Sequence, residues 1–213
     1  MIRAKPLLFL LVGALALGLG LWLGGLFSRQ AVEPPLEISG IYFAEPKKIS
    51  NFVLTQQNGH AFTRELLEGK WSFLYFGYTY CPDICPMTLA QLNAVEQRLA
   101  QGRLGGDTAF VFISVDPRRD TPERLGQYTA YFNKNFQGVT GTPEELAKLA
   151  KQLAIYYKLN DQESKENYTV DHSSAIVLID PDASLRAIFT HPEQPDQLVA
   201  DFKAIRARYQ AVR

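Results

Sequence analysis

Gly77-Tyr78-Thr79-Tyr80-Cys81-Pro82-Asp83-Ile84-Cys85-Pro86-Met87-Thr88 carries both cysteines of the chain, three residues between them and a proline after each. Proline disfavours α geometry in the residue before it, so Cys81 and Cys85 are both expected in extended or turn backbone. Pro86 suits the first position of a helix, where its missing N–H costs nothing. Leu89, Leu92, Val95 and Leu99 follow at helical spacing, which predicts a helix over about 86–101. Upstream, residues 71–78 are aromatic and apolar with little polar alternation, as in a strand buried on both faces. The cysteines therefore sit on a strand-to-helix turn. Free N–H groups and the positive end of the helix dipole stabilise an anion there, so at least one thiol should titrate low. A thiolate is both the attacking species in disulfide exchange and a soft metal ligand. As a structural staple the pair would be poor, because so short a loop constrains the unfolded chain little.

Outward from that turn, the chain has 213 residues with 22 basic and 22 acidic side chains. Arg3, Lys5 and Arg29 are the only charges before Glu33; without those three, 19 basic residues face the 22 acidic ones. No basic run points to nucleic acid. Residues 7–27 are uncharged and rich in Leu, Gly and Ala. As a helix they would reach roughly 30 Å, the thickness of a hydrocarbon core. The run is longer than the apolar part of a signal peptide. The expected organisation is a cytoplasmic N-terminus (1–6), a single transmembrane anchor (7–27), a tether with Pro34-Pro35 (28–50) and one domain (51–213). Arg3 and Lys5 keep the N-terminus inside. The domain of a bacterial inner-membrane protein would then face the periplasm.

Within the domain, residues 52–55 and 61–63 flank Asn58-Gly59 and predict a β-hairpin. His60, beside that turn, reads as a surface residue, and so does His191. Residues 108–115 predict a second buried strand, ended by Asp116-Pro117-Arg118-Arg119-Asp120-Thr121-Pro122. Thr121 with Pro122 and Glu123 marks a helix start, and Thr142-Pro143-Glu144-Glu145 a capping box. Turn and cap duties account for Asp116 and Asp120. Residues 160–168 read as a polar loop. A strand over 174–179, its hairpin partner over 185–189 and a final helix from about Pro195 complete the chain. Strand–helix–strand alternation closed by a hairpin and a helix predicts an α/β fold. It is a thioredoxin-like mixed sheet flanked by helices, with an N-terminal β-hairpin extension and a single N-terminal transmembrane helix.

In that arrangement His172, before the strand of 174–179, falls beside the cysteine turn. Thioredoxins carry a cis-proline there, and Asp171-His172-Ser173-Ser174 has none. The three-residue gap between the cysteines also differs from the two of a thioredoxin. Two thiolates and one imidazole make an S,S,N donor set. Structural zinc takes four protein ligands, and a fourth is not evident. A three-coordinate soft set open on one side suits Cu(I) and can hold Cu(II).

The segments Tyr78-Thr79-Tyr80-Cys81-Pro82-Asp83-Ile84-Cys85-Pro86, Val115-Asp116-Pro117-Arg118-Arg119-Asp120-Thr121-Pro122 and Val170-Asp171-His172-Ser173 resemble the Sco (SenC) family. These are membrane-anchored, thioredoxin-like copper proteins that assist assembly of the copper site of cytochrome c oxidase. The resemblance covers about residues 37–211 and implies copper ligands at Cys81, Cys85 and His172. It also implies two partners, an upstream copper donor and the copper-site subunit of the oxidase. The expected function is a metallochaperone delivering copper to the binuclear copper site during assembly. The alternative is a thiol–disulfide reductase, with Cys81 and Cys85 catalytic, that keeps the cysteines of that site reduced.

Overall fold

The computed structural model describes residues 5–27, 35–160, 168–190 and 194–211. His191, residues 28–34 of the expected tether and residues 161–167 of the expected polar loop lie outside them. The chain divides into two compact units, residues 1–35 and 36–213. In the first, α1 (Lys5–Phe27) is a single helix of 23 residues. No helix among the described residues is long and apolar enough to cross a membrane. The single span expected over 7–27 is therefore not borne out there.

The second unit is built on an eight-stranded mixed sheet. Its strands are β1 (Ile41–Lys48), β2 (Val53–Gln56), β3 (Ala61–Thr63), β4 (Trp71–Gly77), β5 (Thr108–Ser114), β6 (Gln137–Thr140), β9 (Ile176–Ile179) and β10 (Ser184–Phe189). Their order across the sheet is β1-β10-β9-β4-β5-β6-β2-β3, with β4, β5 and β6 parallel and the remaining pairs antiparallel. All seven residues of β4 are buried, as its unbroken apolar run predicts for a central strand covered on both faces. Phe73 and Tyr75 point to one core, with α2 (Ile84–Gln101) and α5 (Pro195–Ala211). Leu74 and Phe76 point to the other, with α4 (Pro143–Gln152). Parallel neighbours need a crossover; α2 supplies it between β4 and β5, and α3 (Pro122–Phe132) between β5 and β6. A 3-10 turn spans Arg64–Leu67. A separate two-stranded sheet pairs β7 (Tyr157–Leu159) with β8 (Val170–His172).

Within this unit the expected elements are present, with four differences. Residues 41–48, expected in the tether, form β1 and pair with β10. β6 and the β7–β8 pair were not foreseen. The hairpin of β2 and β3 turns through residues 57–60 with Gly59 at φ +82°, so Asn58-Gly59 is part of a longer loop than a two-residue turn. The box at α4 is one-sided: Thr142 Oγ1 accepts from the Glu145 N–H (3.3 Å), but the Glu145 carboxylate accepts from the N–H of Val53 (2.9 Å). Glu145 ties a helix to a strand instead of closing its own cap.

Candidate metal centre

At Gly77, the last residue of β4, the chain passes close beneath a sulfur. A Cβ on Gly77 would lie 2.6 Å from Cys85 Sγ and 2.9 Å from the Phe112 ring. The N–H of Cys81 then donates to the carbonyl of Tyr78 (3.2 Å). α2 begins at Ile84, two residues before the expected start at Pro86. Cys85 is thus helical despite the proline after it. The first turn of a helix has no partners for its N–H groups, so Pro86 at the third position removes nothing.

Asp83, at the N-cap, makes no side-chain cap. The backbone N–H groups of Asp83 and Cys85 at this helix start instead favour a negative charge on the Cys81 sulfur. The Cys85 thiol first, and then those N–H groups, hold the Cys81 thiol down at about 3 against its partial burial. Cys85 is pushed up, first because its proton is donated to the Cys81 sulfur and then by burial. The pair therefore shares one negative charge, on the half-buried Cys81, while Cys85 is fully buried. No disulfide joins them.

His172 ends β8, where it pairs with Tyr157. Its Nε2 lies 3.4 Å from Cys85 Sγ, and its Nδ1 lies 3.1 Å from the carbonyl of Ser173. A carbonyl only accepts, so Nδ1 carries the proton and Nε2 presents a lone pair to the sulfurs. The ring is steadied edge-on by Tyr78 (5.8 Å between centroids) and Tyr75 (6.2 Å). The Tyr75 hydroxyl also donates to Cys85 Sγ at 3.7 Å.

The ligand atoms of Cys81, Cys85 and His172 all lie within 4.8 Å of one another, the one such His/Cys/Asp/Glu group among the described residues. A metal–sulfur bond of about 2.3 Å places three trigonal donors roughly 4 Å apart, so the set fits a three-coordinate ion with little rearrangement. His60 is exposed in the β2–β3 turn and stands outside the group.

Asp116 and Asp120 are fully buried and do not join the donor set. The carbonyl of Asp116 accepts from the N–H groups of Arg119 (3.3 Å) and Asp120 (3.0 Å), the expected turn. Their carboxylates do more than the sequence suggested. Asp120 accepts from Thr79 N–H (2.8 Å), Thr79 Oγ1 (2.6 Å) and Ser114 Oγ (2.5 Å). Burial pushes its carboxyl up, against those hydrogen bonds. Asp116 accepts from Arg119 Nε and from the Tyr168 hydroxyl, each at 2.5 Å. Gly77, Tyr75, Arg119 and Tyr168 have no signature of their own.

The family model described as SCO1/SenC matches residues 43–207. The chain is 32% identical over 201 residues to "SCO2-like protein RC0895" of Rickettsia conorii, which covers 93% of this chain and 96% of that protein. It is 37% identical over 147 residues to "Protein SCO1 homolog 1, mitochondrial" of Arabidopsis thaliana. That match covers 69% of this chain and 43% of the longer plant protein. Among solved structures, Arabidopsis thaliana ScoI with copper bound superposes with a TM-score of 0.68 at 36% identity. The superposition covers 74% of this chain and 98% of that one.

Proposed function

Because the chain belongs to the SCO1/SenC family, we propose that it binds copper through Cys81, Cys85 and His172 and delivers it to the binuclear copper site of cytochrome c oxidase during assembly. One observation carries the reading: the Nε2 lone pair of a histidine 87 residues away is aimed at two sulfurs with no disulfide between them. Copper is here the cargo. Thiolates with one imidazole suit Cu(I) and tolerate Cu(II). Three protein donors leave a side from which an acceptor's ligand can enter, so the ion passes by exchange of one ligand at a time. Cys81, half-buried and held as thiolate, is the donor a competing ligand meets first; Cys85 and His172 keep hold from below.

Titration with Cu(I) against a competing chelator tests this. The wild-type chain should compete well, His172→Ala more weakly, and the variant with both cysteines as Ser not at all. Equal affinity in all three would end the reading.

A second reading rests on the divided charge of the thiol pair. The Cys81 thiolate attacks a disulfide of the oxidase copper site, forming a mixed disulfide and releasing one partner thiolate. Cys85 then gives up its proton and attacks the Cys81 sulfur, releasing the second thiolate and leaving a Cys81–Cys85 disulfide. Two electrons pass to the partner, and a further dithiol must restore the pair. A mixed disulfide trapped with Cys85→Ser supports this route; oxidase assembly lost in His172→Ala with dithiol exchange intact shows that reduction alone is insufficient.

Although no helix among the described residues is long and apolar enough to cross a membrane, we place the domain outside the cytoplasm on the sequence alone, with residues 7–27 as its anchor. That placement rests on 21 consecutive uncharged residues preceded by Arg3 and Lys5. Recovery of the chain in the carbonate-washed membrane fraction, with the domain open to protease from the periplasmic side, is the expected result. Recovery in the wash would remove the anchor.

A further inference from the structure

The imidazole and the sulfurs stand on separate supports. Cys85 belongs to α2 and packs in a core beneath the eight-stranded sheet. His172 belongs to β8, whose only strand partner among the described residues is β7. A two-stranded pair is marginal by itself in water, so something must hold it at the distance the donor set requires. The loop after β5 reaches both supports.

Toward the cysteines it presents Asp120, which grips Thr79 by backbone and side chain, two residues before Cys81. The Ser114 hydroxyl ties the same carboxylate to the end of β5. Toward the histidine it presents Asp116 and Arg119. The Tyr168 hydroxyl donates to Asp116 Oδ1, and Arg119 Nε donates to Asp116 Oδ2. Arg119 Nη1 donates to the carbonyl of Tyr168 (2.9 Å), and its guanidinium lies 3.6 Å above the Tyr168 ring. Tyr168 precedes His172 by four residues. Asp116 and Asp120 are fully buried and Tyr168 is 5% exposed, so these contacts are poorly screened and their geometry is tightly set. Two backbone hydrogen bonds onto the Asp116 carbonyl and the fixed φ of Pro117 keep the loop itself rigid.

We propose that residues 116–120 are a two-sided clamp that sets the separation between the sulfur pair and the imidazole. Asp120 is the positioning residue for the cysteine turn, and Asp116 and Arg119, acting on Tyr168, are the positioning residues for His172. The proposal rests on the reading of His172 as a copper ligand. The loop touches no ligand atom; it acts by holding the two elements that carry them, as outer-shell partners of metal ligands do.

The test uses the full chain in mild detergent, with copper as the probe. Tyr168→Phe keeps the ring packing and removes the hydroxyl that reaches Asp116. Arg119→Lys keeps the charge and removes the fork. Both should weaken Cu(I) binding about tenfold, within the range seen for outer-shell partners. Both should also diminish the single-imidazole nitrogen coupling in the electron paramagnetic resonance spectrum of the Cu(II) form. In the metal-free protein, the nuclear Overhauser contact between the His172 and Tyr78 rings should fade while the thermal midpoint stays in place. Asp120→Asn should instead preserve the nitrogen coupling and shift the sulfur-to-copper absorption band. Should Arg119→Lys fail to fold, Tyr168→Phe decides alone. Unchanged affinity, coupling and ring contact in Tyr168→Phe overturn the clamp and leave the copper site standing. A wild-type chain that binds no copper, or a His172→Ala variant indistinguishable from it, overturns the copper reading and the clamp with it.

Discussion

Nδ1 of His172 is paired with the carbonyl of Ser173, the residue that follows it, and this bond turns Nε2 toward Cys85. Nε2 is thus aimed by a backbone hydrogen bond, while the Tyr75 and Tyr78 rings brace the imidazole edge-on. Ser173→Ala removes a hydroxyl that accepts from the N–H of Tyr156 (3.1 Å) and should cost about 1 kcal/mol of stability. Copper affinity should stay within roughly twofold of wild type, a difference below about 0.5 kcal/mol. Denaturant unfolding and chelator competition, run side by side, separate the two effects.

The unequal thiols predict a pH profile. A Cys81 thiol held near 3 is ionised at any mildly acidic pH, whereas an unperturbed cysteine titrates at about 8.5. Iodoacetamide at pH 5 should therefore label Cys81 and spare Cys85, read by mass spectrometry of the peptide containing both. In linkage terms, the folded-state value lies below the unfolded one. The ionised pair therefore supports the fold fully above the unfolded value, and that support is lost as pH falls through about 3. Equal labelling of the two cysteines at pH 5 would contradict the assignment of the charge.

Gly77→Ala brings a methyl group against Cys85 Sγ and the Phe112 ring, at 2.6 and 2.9 Å before relaxation. Neither neighbour is free to swing, since both are buried in the core beneath β4. Overpacking of this kind costs about 1–3 kcal/mol. The fold should survive with that loss. The displaced sulfur should weaken copper binding more than the Ser173 substitution does, measured in the same competition assay.

The parts of this structure legible in the sequence are those that local pattern dictates. β4 announces itself by seven consecutive residues with no polar face, and α2 by Leu89, Leu92, Val95 and Leu99 on one side. β1 escaped because it is an edge strand with no fully buried residue, so its sequence carries no apolar alternation. β6 has four residues, Gln137–Thr140, and is paid for by its neighbours β5 and β2 instead of by its own composition. α2 starts at Ile84 and not at Pro86 because a proline in the first helical turn removes no hydrogen bond and so does not mark the boundary. The grouping of Cys81, Cys85 and His172 was legible, since two cysteines and three histidines are few enough to place once the fold is known. The contacts of Asp116, Arg119 and Asp120 were not. Those to Thr79 and Tyr168 join residues 41 to 52 positions apart, and only tertiary structure brings such partners together.

A control away from the metal centre is provided by Arg186, which donates from Nη2 and Nε to Asp180 Oδ2 at 2.7 and 3.0 Å. Asp180 is fully buried and also accepts from the N–H groups of Asp182 and Ser184. Removing one partner of a buried pair leaves an uncompensated charge and costs about 3–5 kcal/mol. Arg186→Leu should lower the unfolding free energy by that amount. Copper affinity measured on the remaining folded protein should not change, since neither residue touches the cysteine turn or β8.

Tyr75 offers the finest adjustment of the centre. Its hydroxyl donates to Cys85 Sγ at 3.7 Å, and its ring stands against His172 and Phe112. The side chain is fully buried, and burial raises its own titration well above that of a free tyrosine, so the hydroxyl remains a donor throughout the working pH range. Hydrogen bonds to a ligating sulfur draw electron density from it and so tune the potential of a bound copper ion. Tyr75→Phe keeps the ring and deletes that bond. The sulfur becomes the stronger electron donor, which favours Cu(II) over Cu(I). The midpoint potential of the copper-loaded variant should fall, and the sulfur-to-copper absorption band should move to longer wavelength. Spectroelectrochemical titration of the two proteins checks both. A potential that rises, or a band that stays in place, would show that the Tyr75 hydroxyl does not act on the sulfur.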